Sequence, residues 1–209
     1  MKLAIIFDFD GVIVNSLEVW RDAFISACDH HGCESVTTQE DFLNLFESNI
    51  FDGLKKAGIE ENKIPSIRKK LAEEYLENSH KVELFEGVKE MLETLAADHK
   101  IFIVTSNFSD IVERFLDSYN IKIFEEVLGS DKERSKVKKI ELIKINFSDL
   151  TPLYVGDTKG DMIEGALAGV KTIAVTWGWH DRKKLKEADP DFVIDVPKEL
   201  VLLADQLSK

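Results

Sequence analysis

The chain has 209 residues, of which 44% are hydrophobic and 32% are charged, and its formal net charge at pH 7 is −12. This composition is typical of globular proteins, and the length allows one core domain with a small insertion. Nucleic acid binding requires a basic surface and a membrane span requires a long apolar segment, and neither is found in the sequence. We expect a cytoplasmic protein, a monomer or weak homodimer, that binds no nucleic acid and no membrane.

The first predicted element is a buried strand that ends in two acidic residues. The apolar residues 3–7 are followed by Asp8, Phe9, Asp10 and Gly11. Side chains alternate along a strand, so Asp8 and Asp10 are expected to face the same side. Open α/β sheets hold their ligands at the carboxyl ends of strands, and two close carboxylates favour a divalent cation. We interpret the pair as a nucleophile with its acid/base partner; two solvated loop acids are the alternative.

The next segment, residues 16–82, has helical periodicity and no convincing strand. Its apolar spacing predicts helices at residues 17–31, 38–57 and 63–80. A break in the second helix is expected near residues 48–49. We interpret Gly32, between Cys28 and Cys33, as the end of the first helix, in preference to a zinc site or a disulfide. The segment is therefore predicted to be a helical insertion after the first strand.

Helices and strands alternate in the remainder of the chain. The predicted helices lie at residues 87–97, 109–118, 136–146 and 198–207. The predicted strands lie at residues 101–105, 124–128, 153–156, 172–176 and 192–194. Alternation of this kind indicates a mostly parallel sheet covered by helices. We predict an α/β fold, with a three-layer Rossmann-like core formed by residues 1–15 and 83–209 and an α-helical cap inserted at residues 16–82.

Two of the later strands also end in polar residues. Thr105, Ser106 and Asn107 end one strand, and another is followed by Asp157 and Asp161. These residues are expected at the same edge of the sheet as the first acidic pair.

A group of lysines lies between these two strands. Lys136 opens the helix predicted at residues 136–146, and Lys132, Lys138 and Lys139 are close to it in the chain. We select Lys136 as the lysine of the site and interpret its neighbours as solvated surface charges.

An acidic pair, a strand-end hydroxyl, a lysine and a second acidic pair, in this order, resemble the motifs of the haloacid dehalogenase (HAD) superfamily, and the phosphoglycolate phosphatase-like branch is the most similar. The resemblance covers the whole chain. It implies a HAD-like core with a mobile cap, and Mg²⁺-dependent hydrolysis of a small phosphorylated metabolite through an aspartyl-phosphate intermediate. Val137 departs from the family pattern, which often has a proline after the lysine.

The resemblance also implies the catalytic roles. Asp8 is expected to be the nucleophile, and Asp10 the residue that protonates the leaving oxygen and then activates water. The dehalogenating branch lacks an aspartate at the position of Asp10, so dehalogenation is disfavoured. Thr105 and Lys136 are expected to bind the phosphoryl group.

The metal ligands and the additional donors are implied in the same way. The Mg²⁺ ligands would be Asp8, the backbone carbonyl of Asp10, and Asp157. Asp161 would touch the metal through water or orient the lysine, and an ordinary helix-start acid is its alternative. Ser106 and Asn107 would add phosphate donors, with turn or N-cap chemistry as their alternative.

Two other functions remain open at this point. A sugar phosphomutase shares the aspartyl-phosphate, and a catalytically silent fold used for binding belongs to another class. Substrate selectivity is expected to lie in cap side chains such as Phe46, Asn49, Phe51 and Lys55. The loop at residues 177–180, Trp-Gly-Trp-His, is expected to pack over or shield the site.

Overall fold

A computed structural model describes residues 1–209, and its largest element is a six-stranded parallel sheet. The strands of the whole chain are β1 (Leu3–Phe7), β2 (Val14–Asn15), β3 (Glu83–Leu84), β4 (Lys100–Val104), β5 (Phe124–Leu128), β6 (Thr151–Gly156), β7 (Lys171–Val175) and β8 (Phe192–Ile194). The strand order in the large sheet is β5-β4-β1-β6-β7-β8, with every neighbouring pair parallel. The acidic first strand therefore lies in the interior of the sheet.

Ten α-helices accompany the strands. They are α1 (Leu17–His30), α2 (Gln39–Asn44), α3 (Ile50–Lys56), α4 (Ile64–Asn78), α5 (Val88–Asp98), α6 (Ser109–Ser118), α7 (Lys136–Asn146), α8 (Lys159–Leu167), α9 (Arg182–Lys186) and α10 (Pro197–Leu207). None of them combines the length and hydropathy that a membrane span requires.

Both faces of the sheet are covered, which makes three layers. On one face, the odd-numbered apolar residues of β1 pack with the buried sides of α5, α6 and α10. On the other face, Ile6, Phe102 and Tyr154 pack against Ile140 and Ile143 of α7. Strands buried on both faces need continuous apolar runs, and β1 has one. The predicted α/β fold with a parallel sheet is confirmed.

The regular elements within residues 16–82 are all helices, joined by turns and loops. They pack around an apolar cluster that contains Phe24, Phe42, Leu54 and Ile67, and Trp179 from outside the segment joins it. The predicted break of the second helix is observed, because α2 ends at Asn44, a 3₁₀ turn follows and α3 begins at Ile50. The boundaries of core and cap stay a prediction, and we use "core" for residues 1–15 and 83–209 and "cap" for residues 16–82.

Three short elements, strands β2 and β3 and helix α9, were not predicted, and no range was predicted for α8. Strands β2 and β3 form an antiparallel ribbon where the chain enters and leaves the cap, and α9 follows the loop at residues 177–180. A two-residue strand and a five-residue helix are too short to show periodicity.

The packing under the sheet gives a test of the fold. Leu92 of α5 is completely buried, whereas Leu142 of α7 is 47% exposed. Leu92→Ala leaves a cavity, so we expect it to lower the free energy of unfolding by about 2–5 kcal/mol. Leu142→Ala is the control and should change it by less than about 0.5 kcal/mol. Urea denaturation measures both free energies, and equal effects of the two substitutions would contradict this packing.

Candidate active site

The ends of three adjacent strands bring the predicted site residues together. In the sheet register Phe7 of β1 lies opposite Ile103 of β4 and Val155 of β6, so the residues that follow these strands meet at one edge. A cavity of about 110 Å³ opens there between core and cap. Its core lining includes six of the eight predicted site residues, Asp8, Asp10, Thr105, Ser106, Asn107 and Lys136. The other two, Asp157 and Asp161, are buried beside it.

Lys136 connects two of the buried carboxylates. Its Nζ donates to Asp8 Oδ2 at 2.6 Å and to Asp161 Oδ1 at 2.6 Å. Burial disfavours the charged lysine, but the charges of Asp161 and Asp8 outweigh it and raise the pKa of Lys136 well above its ordinary value. The lysine is therefore a fixed positive charge at the edge of the cavity.

Asp161 has no carboxylate oxygen left for a metal ion. Its Oδ1 accepts from Lys136 and from the Tyr154 hydroxyl at 2.9 Å, and its Oδ2 accepts from the Thr158 hydroxyl at 2.6 Å and the Thr158 N–H at 3.1 Å. Burial opposes ionisation, but Lys136 and these donors hold the pKa of Asp161 below its usual value. The contacts favour the predicted role of orienting Lys136. Asp161 also forms the capping box at the start of α8 with Thr158, so it is a helix-start acid as well.

Asp157 is different, because one of its oxygens has no partner. Oδ2 accepts from the Trp179 N–H at 2.7 Å, while Oδ1 is buried without a hydrogen bond. Burial, together with the charges of Asp161 and Asp8, raises the pKa of Asp157 well above its ordinary value. A buried polar atom without a partner is rare, and here it points to a cation.

Glycines enclose Asp157 closely. A Cβ atom on Gly11 would lie 2.0 Å from Asp157 Oδ2, and one on Gly178 would lie 2.3 Å from Asp157 Cβ. Gly11 also has a φ of 79°, which L side chains rarely adopt. The carboxylate is therefore confined by backbone on both sides.

The acidic cluster fits a divalent cation with oxygen ligands. One carboxylate oxygen from each of Asp8, Asp157 and Asp161 lies within 4.8 Å of the others. Burial raises the pKa of Asp8 to about 7, and the negative charges of Asp161 and Asp10 add to this while Lys136 opposes it. With Asp161 committed to other partners, Asp8 and the free oxygen of Asp157 are the carboxylates available to a metal.

Asp10 faces a different set of groups. Its Oδ1 accepts from Ser16 Oγ at 2.8 Å and Trp20 Nε1 at 2.7 Å, and its Oδ2 accepts from Asn107 Nδ2 at 3.0 Å. Burial nevertheless raises the pKa of Asp10 above its ordinary value, although these donors favour the charged form. A carboxyl group with a raised pKa is suited to give and take a proton. Ser16 and Trp20 were missed, because nothing distinguishes Trp20 from the other apolar residues of a cap helix.

The three polar residues after β4 have separate surroundings. Thr105 Oγ1 accepts from the Asn107 N–H at 3.1 Å, which leaves its own O–H free to donate into the cavity. Asn107 donates to Asp10 and accepts from the Phe108 N–H at 2.8 Å, so both ends of its amide are in use. Ser106 is half-buried in the lining. Thr105 and Ser106 are thus the available donors, and Asn107 positions Asp10.

The interpretation of Lys139 as a solvated surface charge was wrong. Lys139 is completely buried, and its Nζ donates to the backbone carbonyl of Thr105 at 2.5 Å. It lies three residues after Lys136, on the same face of α7, because residues three apart on a helix are neighbours. Burial, with the charge of Lys136, lowers the pKa of Lys139 to about 8. Lys138 is solvent-exposed, as expected.

The comparisons with known proteins agree with this geometry. The family model described as haloacid dehalogenase-like hydrolase matches residues 5–175. The chain belongs to this family.

Whole-length relatives specify the enzyme class. A phosphoglycolate phosphatase from Synechococcus elongatus is 25% identical over 210 residues, covering 99% of each chain. A pyrophosphatase PpaX from Bacillus anthracis is 29% identical over 222 residues, covering 100% of each chain. These relatives confirm the predicted superfamily and its phosphoglycolate phosphatase-like branch, and they indicate an enzyme of the phosphatase class.

Solved structures support the fold. A haloacid dehalogenase-like family hydrolase from Streptococcus pneumoniae has a TM-score of 0.80 at 22% identity, with 97% of this chain and 98% of that chain covered. A protein described as a predicted phosphatase from Clostridium acetobutylicum has a TM-score of 0.85 at 15% identity, with 99% of each chain covered.

In this haloacid dehalogenase-like hydrolase, the loop at residues 177–180 joins the acidic cluster to the cap. Trp179 donates its N–H to Asp157 and packs its ring at 4.8 Å from the ring of Phe46. His180 Nδ1 accepts from the Lys159 N–H at 2.9 Å, so its Nε2 donates to the Leu43 carbonyl at 3.1 Å. The loop packs against the cap, as expected, and both ring nitrogens of His180 are used in hydrogen bonds.

The cap residues proposed for selectivity have different positions. Phe46 and Phe51 line the cavity. Asn49 does not, because it caps α3 through the Phe51 N–H and donates to Glu164 at 2.8 Å. Lys55 is exposed and also lies outside the lining. Asn49 and Lys55 were therefore wrong choices, since sequence alone cannot tell which face of a cap helix meets the core.

The lysines give a graded prediction. We expect Lys136→Ala to lower kcat/KM about a hundredfold or more, because it removes a buried charge beside the phosphoryl site. Lys139→Met leaves the Thr105 carbonyl without its donor, so we expect a loss of about tenfold. Lys138→Met should be near neutral, since Lys138 is exposed. Steady-state kinetics on a phosphate monoester would rank the three variants, and a neutral Lys139→Met would contradict the role of its hydrogen bond.

Proposed function

We propose that this enzyme is a Mg²⁺-dependent phosphatase that hydrolyses a small phosphate monoester through an aspartyl-phosphate on Asp8. The observation that carries the proposal is the imbalance of charge at the strand ends. Asp8, Asp157 and Asp161 are buried together, Lys136 pairs with Asp8 and Asp161 only, and Asp157 Oδ1 has no partner. A dication would offset this negative charge, and it would also offset the negative charge of a bound phosphoryl group.

The residues that would hold Mg²⁺ are Asp8, the backbone carbonyl of Asp10, and Asp157. All three supply oxygen, which Mg²⁺ prefers. When bound, the ion would offset negative charge on the phosphoryl oxygens and on the nucleophile. Asp161 is not a ligand in this proposal, because its two oxygens hold Lys136, Tyr154 and Thr158.

In the first step, an Asp8 carboxylate oxygen attacks phosphorus and the bond from phosphorus to the leaving oxygen breaks. Asp10 gives its proton to that oxygen, so the product leaves as an alcohol. Lys136 and the Thr105 hydroxyl bind the phosphoryl oxygens during the transfer. Asn107, Ser16 and Trp20 keep the Asp10 carboxyl group in place through their hydrogen bonds.

In the second step, a water oxygen attacks the same phosphorus and the acyl-phosphate bond to Asp8 breaks. Asp10, now a carboxylate, takes a proton from the water, which restores both aspartates and releases inorganic phosphate. The apolar cap residues over the cavity limit the entry of bulk water, so only a positioned water molecule reaches the intermediate.

The cavity supports a small substrate of the phosphoglycolate type. Its volume of about 110 Å³ is below the ~300–1,000 Å³ that is usual for drug-sized ligands. Most of its lining residues are hydrophobic, with no polar cluster for a sugar ring. This disfavours the phosphomutase, and the presence of Asp8, Asp10 and Asp157 in one site disfavours a silent binding protein.

A phosphate-release assay tests the activity. We expect inorganic phosphate from phosphoglycolate and other short phosphorylated acids, with Mg²⁺ present, at a higher rate than from hexose phosphates. The control is Asp8→Asn, which keeps the shape of the side chain but loses its nucleophilic charge. This variant should fold normally, and its kcat should fall by a factor of about a thousand or more. Retention of more than about a tenth of the kcat, or faster interconversion of hexose 1- and 6-phosphates than phosphate release, would overturn the proposal.

Metal removal tests the ion. Chelation should abolish activity and Mg²⁺ should restore it, whereas Ca²⁺ should support little turnover because its larger, looser ligand shell misplaces nucleophile and phosphorus. Asp157→Asn should raise the Mg²⁺ concentration needed for half-maximal rate by at least about tenfold. Full activity in excess chelator, with metal content measured as absent, would show that the ion is not required.

A further inference from the structure

Arg68 of α4 is a basic side chain in the lining of the cavity, and sequence reasoning did not select it. Its Nη2 donates to Ser130 Oγ at 2.9 Å, and it forms no salt bridge with any carboxylate. Its guanidinium carbon lies 4.9 Å from the ring centroid of Phe108 and 5.6 Å from that of Phe51. The guanidinium group is therefore held by aromatic rings in a half-buried position, with donors left over.

A second arginine lies beside it. The guanidinium carbon of Arg134 is 5.2 Å from the centroid of the same Phe51 ring, and Arg134 also forms no ion pair. Burial and the positive charge of Arg134 lower the pKa of Arg68 below its ordinary value. Asp131 is the acid that acts on Arg68, but its Oδ1 already accepts from the Ser109 N–H at 2.7 Å.

Arg68 is half-buried and Arg134 is exposed, and neither pairs with a carboxylate. The chain has 39 acidic and 27 basic residues, so carboxylates that could pair with an arginine are abundant. Two guanidinium groups share one aromatic ring nevertheless, at the edge of a mostly hydrophobic cavity. A partly desolvated cation without a carboxylate partner is stabilised when an anion binds to it.

We propose that Arg68, supported by Arg134, binds a second anionic group of the substrate, at the end remote from the phosphoryl group. The substrate class is then a short phosphate monoester that carries a carboxylate, or a compound with a second phosphoryl group. The proposal rests on the proposed phosphatase function and specifies its substrate. Arg68, rather than Asn49 or Lys55, is then the cap residue that selects the substrate.

The physical reason for the selectivity is the low polarity of the surroundings. A planar guanidinium group can donate two parallel hydrogen bonds to a carboxylate or phosphoryl group, and such bonds are stronger where water is excluded. A neutral alkyl tail would leave the cation unpaired. The small cavity leaves room for only a short chain between the two anionic ends.

The test compares phosphoglycolate with propyl phosphate, a monoester of similar length whose tail carries no charge. We expect the wild-type enzyme to have at least a tenfold higher kcat/KM for phosphoglycolate. Arg68→Met should raise the KM for phosphoglycolate at least tenfold. The KM for propyl phosphate should change by no more than about twofold. Lys69→Met, an exposed lysine on the same helix, is the matched control for the lost charge and should change neither value.

A third substrate and a second variant complete the design. Inorganic pyrophosphate in the same assay distinguishes a phosphoryl from a carboxylate tail. Arg68→Lys keeps the positive charge but loses the paired donors of the guanidinium group, so it should retain only part of the preference for phosphoglycolate. If Arg68→Met raises the KM for both monoesters equally, Arg68 only holds the cap to Ser130 and the proposal is wrong. The absence of a wild-type preference for the charged tail would overturn it as well.

Binding measured without turnover separates this inference from the proposed function. Calorimetry on Asp8→Asn protein, with and without Arg68→Met, should show at least tenfold weaker binding of phosphoglycolate in the double variant and no change for propyl phosphate. Loss of this difference contradicts the role of Arg68 even if the wild-type enzyme is an active phosphatase. If the difference is present but the wild-type enzyme releases no phosphate, the phosphatase assignment fails and the anion site stands.

Discussion

The site depends on one electrostatic constraint, which is that Lys136 must offset a group of carboxylates buried at the same strand ends. Lys136 contacts Asp8 and Asp161 directly, and Asp157 adds a further acid without a lysine partner. Such a cluster is unfavourable in isolation, because desolvation and repulsion both oppose ionisation. Its cost is consistent with a site that is completed by a cation and a phosphoryl group, since functional sites are where a fold retains unfavourable charge.

Two of the buried carboxylates also connect the core to the cap. Trp20 of the cap donates to Asp10, and Trp179 of the core donates to Asp157 while its ring packs on Phe46. A Cβ atom on Gly160 would lie 2.5 Å from the Ser48 carbonyl, so the cap backbone sits directly on the start of α8. Asp10 thus accepts a hydrogen bond directly from the cap, whereas Asp157 is connected to the cap only through Trp179. The cap therefore takes part in positioning the Asp10 carboxyl group.

The two ends of the cavity have opposite characters. At the core end, acids, Lys136 and Thr105 are arranged for phosphoryl transfer, and these groups are suited to any phosphate monoester. At the cap end, hydrophobic residues surround Arg68, which has Arg134 beside it and donors that are not used. In the proposed mechanism, reaction chemistry belongs to the core and substrate choice to the cap. The phosphoglycolate phosphatase and pyrophosphatase relatives likewise differ in the substrate that each is named for.

The sequence by itself determined the class of the fold and the residues at its strand ends. Hydrophobic runs ending in Asp8, Thr105 and Asp157 are local patterns, and parallel strands necessarily bring such ends to one edge. The sequence could not determine the partners that are distant in the chain. The burial of Lys139, the donation from Trp20 to Asp10 and the place of Arg68 in the cavity each depend on which face of a helix meets the sheet or the cap. Helical periodicity shows that a residue is on a face, but only tertiary packing decides what lies opposite that face, and therefore which charges are solvated and which carry function.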